Sequence, residues 1–245
     1  TEQTMKEKIT YCRDNGLDIT FLWLDAGWYY NIDQTYIGST PTSWQTVGTW
    51  ELDLKRFPTK LKDATDYAKA NGVKTLMWFE PERFTIMTDS LKDDGSTIKR
   101  EWLINNNFLD LGIDECREWV TNRVLTIIKE GGISLYREDF NIGPLPFWTA
   151  KDELNGSDRL GMTENHHIQG HFAYWDAIID ATRMPVDACA SGGFRLDLDT
   201  MRYAVALHRT DYGYSDALAN QCYSLEMYKW FPYFRAATNA ANTAN

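Results

Sequence analysis

The segment Leu135-Tyr136-Arg137-Glu138-Asp139-Phe140-Asn141 passes from an apolar run straight into charged and amide groups. A strand of an α/β sheet delivers chemistry to its C-terminal edge in this way, which makes Asp139 the candidate nucleophile. The same event recurs at Asp25, Glu80, Asp110 and Asp211, each of which ends a short buried-strand run. In a barrel such ends converge on one mouth, so acids remote in sequence come to line one pocket. Any one of them could simply cap the helix that follows. Five at equivalent places point to a site.

Several carboxylates around a pocket suit two chemistries, divalent-metal binding and glycosidic bond cleavage. A Mg²⁺ barrel that stabilises an enediolate also needs a Lys or His base on a strand end. No Lys stands there, and His208 is the only histidine so placed. Sugar chemistry is favoured, because it asks for two acids, aromatic walls and little else. Ten Trp and thirteen Tyr could supply those walls, although they could equally be core and rim residues. His167 and His171 lie one helical turn apart, but no Glu stands between them at zincin spacing, so they read as polar groups near the pocket rim or surface, together with His166. Gly192-Gly193 lacks the pattern of a phosphate loop and reads as close backbone approach to a ligand. Cys189 has no histidine placed to activate it, so substrate contact or packing is expected.

The elements that must position these residues alternate. Residues 2–15 have helical spacing and end at Asn15-Gly16. A strand at 19–24 leads to Asp25-Ala26-Gly27-Trp28, then a long aromatic loop to Phe57. Loops of that length in a compact domain usually carry function. Pro58 opens a helix running to Asn71-Gly72, and 73–79 is the second strand. Residues 108–111 form a short third strand, and Asp114 caps a helix whose apolar face is Cys116, Trp119, Val120, Val124, Ile127 and Ile128. After the strand to Asp139, a Pro and Trp loop leads to a helix at 163–182, a fifth strand at 185–189, a helix at 198–204 and a sixth strand ending at Leu207 to Asp211. A helical tail covers 217–234, and the last residues fray. This alternation predicts an α/β fold with a parallel sheet, with 1–245 as a single domain.

The formal charge of -10 over 245 residues argues against nucleic acid, which needs clustered positive charge. No apolar run approaches the ~18 residues a membrane span requires. The chain opens on Thr1 with no signal-peptide core, so it reads as soluble and leaves the compartment open. The four cysteines are scattered without metal or staple spacing.

Six ordered motifs then stop being generic: Asp25-Ala26-Gly27-Trp28, Gly48-Thr49-Trp50, Trp78-Phe79-Glu80-Pro81-Glu82, Arg137-Glu138-Asp139-Phe140-Asn141, Cys189-Ala190-Ser191-Gly192-Gly193 and Thr210-Asp211. Together they resemble the catalytic barrel of glycoside hydrolase family 36, the melibiase-like α-galactosidases and α-N-acetylgalactosaminidases. The resemblance implies a (β/α)8 TIM-type barrel. It makes Asp139 the nucleophile and Asp211 the general acid/base of a retaining reaction through a covalent glycosyl-enzyme. It places Asp25, Trp50, Arg137, Cys189 and Gly192 in the sugar pocket, and Trp28, Trp78, Glu80 and Asn141 complete the expected substrate-binding set. No cofactor or metal is implied, the partner is a carbohydrate, and the parent protein is expected to be able to form homo-oligomers.

The departures lie at Ala26, where the family has a second Asp, at Arg137-Glu138, where it has Lys-Trp, and at His208-Arg209 beside Thr210-Asp211. They leave the mechanism in place but not galactose as the only sugar. An α-N-acetylgalactosaminidase and a non-catalytic carbohydrate-binding barrel stay open. Arg137 is expected to lower the pKa of Asp139. Six strands are counted where the family has eight, so the barrel is expected to be incomplete, its first strand preceding Thr1 and its last two following the tail helix.

Overall fold

The computed structural model describes residues 1–29, 36–37, 40–41, 47–48, 50–84, 98–189, 195–205 and 216–230. In chain order its elements are α1 (Glu2–Asp14), β1 (Phe21–Leu24), β2 (Tyr36–Ile37), β3 (Thr40–Pro41), α2 (Lys62–Ala70), β4 (Lys74–Phe79), β5 (Leu103–Ile104), β6 (Phe108–Leu109), α3 (Asp114–Gly131), β7 (Leu135–Glu138), α4 (Leu145–Asn155), α5 (Met162–Thr182), β8 (Val186–Ala188), α6 (Thr200–Tyr203), β9 (Ala204–Val205) and α7 (Ala217–Tyr228).

Five of these strands, β1-β4-β7-β8-β9, form one parallel sheet whose spatial order is the chain order. Parallel neighbours cannot be joined by a tight turn, so the chain returns each time through a helix: α2, α3, α4 with α5, and α6. Side chains alternate between the two faces of each strand. On β7, Tyr136 and Glu138 turn toward α5, where Tyr174 and Trp175 bond them. Arg137 takes the other face, against Asp187 of β8 and the Trp23 ring of β1. Register sets Trp78 beside Arg137 and Arg137 beside Asp187, so three neighbouring strands contribute one row of that face.

The helix face of the sheet holds the main core. Cys116, Val120 and Val124 of α3 pack with Met77 and Phe79 of β4, Tyr136 of β7 and Ile178 of α5. Burial of an aliphatic side chain of this size contributes roughly 1.5–3 kcal/mol. Gly132 stops α3 in the left-handed region at φ 66°, which a residue with a Cβ adopts only at a cost. Gly170 lets α5 lie against the turn after β6, since a Cβ there would fall 2.0 Å from the Leu111 carbonyl oxygen.

Four of the differences from the sequence expectation have a clear local cause. The expected third strand is not in the main sheet: Phe108–Leu109 pairs antiparallel with Leu103–Ile104. Asn105 and Asn106, at φ 47° and 61°, make the tight primed turn that joins such a pair. The Pro and Trp loop contains α4: Pro144 stands at its N-cap position without a side-chain cap, and Pro146 falls in the first turn, where no helical N–H is lost. Asp114 begins α3 without capping it and pairs with Arg117 at 2.8 Å. The helix expected from Pro58 starts at Lys62, after a turn in which Lys60 and Leu61 have positive φ. Glu2 holds that turn by accepting the Thr59 and Leu61 N–H groups at 3.0 and 2.9 Å.

Candidate active site

Asp139 follows β7 directly, on the face that carries Arg137. Its backbone N–H donates to the Phe79 carbonyl at 2.9 Å, which ties it to the end of β4. The carboxylate is surrounded by donors. Trp78 Nε1 and Asn141 Nδ2 reach Oδ2 at 3.0 and 2.7 Å, and the Phe140 N–H reaches Oδ1 at 2.9 Å. Burial works to raise the pKa of Asp139, but these three donors and Cys189 outweigh it and hold the acid below the ordinary carboxylate value. A partly buried carboxylate kept ionised this way is suited to nucleophilic attack.

Arg137 was expected to keep Asp139 low by its charge. Its guanidinium is committed to Asp187 in a buried ion pair and lies over the Trp23 ring, 4.7 Å from its centroid, and its charge also acts on Asp139. The leading causes of the low pKa are the neutral donors. Asp187 was not singled out from the sequence, although a charged residue inside the buried strand Val186-Asp187-Ala188 was the signal for it. Cys189 follows β8 on the same face as Asp187, buried, with its N–H on the Glu138 carbonyl at 2.8 Å. Asp25 is exposed at the end of β1 and bonds its neighbouring Ala26 N–H at 2.8 Å.

The expected aromatic platform is a closed cluster. Trp28, Trp50 and Trp78 are all buried, with ring centroids 5.9 Å apart for Trp28 and Trp50 and 6.3 Å apart for Trp50 and Trp78. Trp28 Nε1 donates to the Trp78 carbonyl at 2.7 Å. Arg56 pins the turn below them, pairing with Asp53 at 2.8 Å and donating to the Gly27 carbonyl at 2.5 Å. Of the three indoles it is Trp78 that meets Asp139, through its N–H and not through its face. Buried Trp50 Nε1 has no partner among the described residues.

The strand-end acids do not all face one mouth. Glu80 is fully buried against the Asn141 backbone. Asp110, leaving the β5-β6 hairpin rather than the main sheet, pairs with Lys151 of α4. Glu138 turns to α5 and accepts from His171, Trp175 and Tyr136, so this departure from the family motif lies away from Asp139. Of the three histidines, His166 is exposed as expected, whereas His167 and His171 are buried on the helix side. His167 is 1% exposed, with Nε2 on Glu82 at 2.9 Å and Nδ1 facing the Leu111 N–H at 3.2 Å. Glu82 also takes Arg195 at 2.7 Å. Burial opposes its charge, but Arg195 and His167 hold its pKa far below the ordinary value. Helical spacing placed the two histidines on one face without showing that the face looks inward.

A cavity of about 420 Å³ opens on this helix side, lined by Glu82, Phe140, Trp148, His171 and Arg195 but not by Asp139. No group of His, Cys, Asp and Glu suited to a metal occurs among the described residues. Asp211, Gly192 and His208 lie outside the described residues, as do Thr49 and Gly193.

Fold and site together define a parallel-barrel wall that presents an ionised carboxylate at the end of a strand. The Melibiase family matches residues 2–225, and the chain belongs to it. Alpha-galactosidase Mel36A of Lactobacillus acidophilus is 22% identical over 219 residues, covering 86% of this chain and 28% of that protein. The crystal structure of the alpha-galactosidase from Lactobacillus brevis matches with TM-score 0.64 and 21% identity, over 86% of this chain and 28% of that one. A doubly substituted variant of the GH36 alpha-galactosidase AgaA from Geobacillus stearothermophilus, in complex with stachyose, matches with TM-score 0.60 and 16% identity, over 81% of this chain and 27% of that one. The chain thus spans 28% of the length of the curated relative. These likenesses show the fold: the five parallel strands are part of a (β/α)8 TIM-type barrel, the architecture expected from the motifs.

Proposed function

We propose that the protein hydrolyses terminal α-linked galactose-type residues with retention, using Asp139 as nucleophile and Asp211 as acid/base. The observation that carries this reading is the Asp139 carboxylate, held ionised by Trp78, Asn141 and Phe140 at the end of β7. Membership of the Melibiase family supports the substrate class. In the first step a carboxylate oxygen of Asp139 bonds to the anomeric carbon as the glycosidic bond breaks, and Asp211 gives its proton to the departing oxygen. In the second step Asp211 takes a proton from water, whose oxygen displaces Asp139 and restores the α configuration.

The test is hydrolysis of an aryl α-galactoside followed by NMR of the first sugar released, for the protein and its Asp139→Asn variant. α-Galactose first, and a loss of at least about 10³-fold in kcat for the variant, support the reading. Unchanged turnover in Asp139→Asn contradicts it. Sugar binding without turnover in either protein turns the reading to a carbohydrate-binding barrel, and preference for an α-N-acetylgalactosaminide changes the sugar but not the mechanism.

A further inference from the structure

Glu80 stands one residue past β4, fully buried, and its contacts run to protein rather than to open space. Oε1 accepts the Asn141 N–H at 2.6 Å, and Arg83 approaches the same oxygen at 3.2 Å. Arg83 also donates to the Asn141 carbonyl. Both polar ends of Asn141's backbone are therefore held by one turn of the neighbouring strand, residues 80–83. The Asn141 side chain, so placed, donates to Asp139 Oδ2 beside Trp78.

We propose that Glu80 is a positioning residue: it fixes the backbone of Asn141 so that the Asn141 amide holds Asp139 in its attacking orientation, and it does not itself touch the sugar. This rests on the reading of Asp139 as nucleophile. A fixed donor matters because a misplacement of about 1 Å at a reacting group can cost about 10²-fold in rate. The charge state of Glu80 suits the role. The charged or titratable groups that act on it among the described residues are Arg83 and Glu82 on its own turn, Asp139 after β7 and Tyr29 after β1. Burial pushes its pKa up to about 8 against the pull of Arg83 and the Asn141 N–H. Oε2 has no partner among the described residues, so at neutral pH Glu80 can orient Asn141 while adding little negative charge next to Asp139.

The test compares the protein with Glu80→Gln and Glu80→Ala in two readouts, the Asn141 amide resonance of ¹⁵N-labelled protein across pH and the kinetics on an aryl α-galactoside. Gln keeps an acceptor at the same place, so the Asn141 proton stays downfield and kcat stays within about threefold. Ala removes the acceptor, so the resonance moves upfield and kcat falls about 10²-fold with KM nearly unchanged. In the unmodified protein the Asn141 resonance shifts with a midpoint near 8, and in Glu80→Gln that transition is gone. This decides the matter even where the Ala variant does not fold. An Asn141 resonance that is the same in Glu80→Gln as in the unmodified protein at every pH overturns the proposal, as does a rise in KM with kcat unchanged. Absence of turnover in the unmodified protein, with Asn141 responding as described, overturns the galactosidase reading and supports the Glu80 contact.

Discussion

Arg137 and Asp187 stand at the same register on adjacent parallel strands and form an ion pair that is 4% and 0% exposed. A lysine ammonium is a point charge, whereas the planar guanidinium can pair with Asp187 and also lie over Trp23. Removing one partner leaves the other charge buried, at a cost of about 3–5 kcal/mol, while replacing both with apolar groups is close to neutral. Arg137→Ala should therefore lower the urea midpoint sharply, and Arg137→Met with Asp187→Leu should restore most of it.

Trp78→Phe keeps the aromatic packing and removes one of the two side-chain donors on Asp139 Oδ2. That donor favours the ionised form, so its loss raises the pKa of Asp139. A hydrogen bond to a charged group is worth roughly 1.5–3 kcal/mol, or about 1–2 pH units. The acid limb of the pH-rate profile should move up by that amount, with the alkaline limb in place.

Two buried glutamates on one turn set opposite pH dependences. Glu80 titrates near 8 in the fold against 4.5 ordinarily, so the folded chain holds a proton that the unfolded chain has released. Its contribution to stability is complete below about 4.5 and is lost as pH rises through about 8. Glu82 is held low by Arg195 and His167, so its contribution is complete above about 4.5 and is lost as pH falls. Urea midpoints measured across pH should be highest near about pH 5. Glu80→Gln should flatten the alkaline side, and Glu82→Gln the acid side.

Glu138 accepts three side-chain donors on the helix side of β7. Glu138→Gln should cost about 1–3 kcal/mol of stability and leave the rate ratio between an α-galactoside and an α-N-acetylgalactosaminide unchanged. A variant on the opposite face, such as Cys189→Ala, is expected to change that ratio.

The helices were readable because their signal is local. The spacing of Cys116, Val120, Val124 and Ile127 marks α3, and Asn15-Gly16 ends α1 where expected. Asp25, Glu80 and Asp139 stand just past strands of the main sheet, as read from the sequence, but two facts of partnership were not readable. Asp110 follows a run as apolar as any barrel strand, yet the turn at Asn105-Asn106 pairs that run locally. Alternation on β7 separates Arg137 and Asp139 from Glu138, but which side is the helix side depends on Tyr174, Trp175 and His171, more than thirty residues away in sequence. Asp187 and Arg195 gain meaning only from partners on other elements, Arg137 and Glu82.

The most direct measurement is mass spectrometry of the protein after reaction with an α-galactose-configured cyclitol epoxide, which a carboxylate opens to form a stable ester. One label per chain is expected, on Asp139, with no label in Asp139→Asn. A label on another carboxylate of a protein that turns over α-galactosides would contradict it.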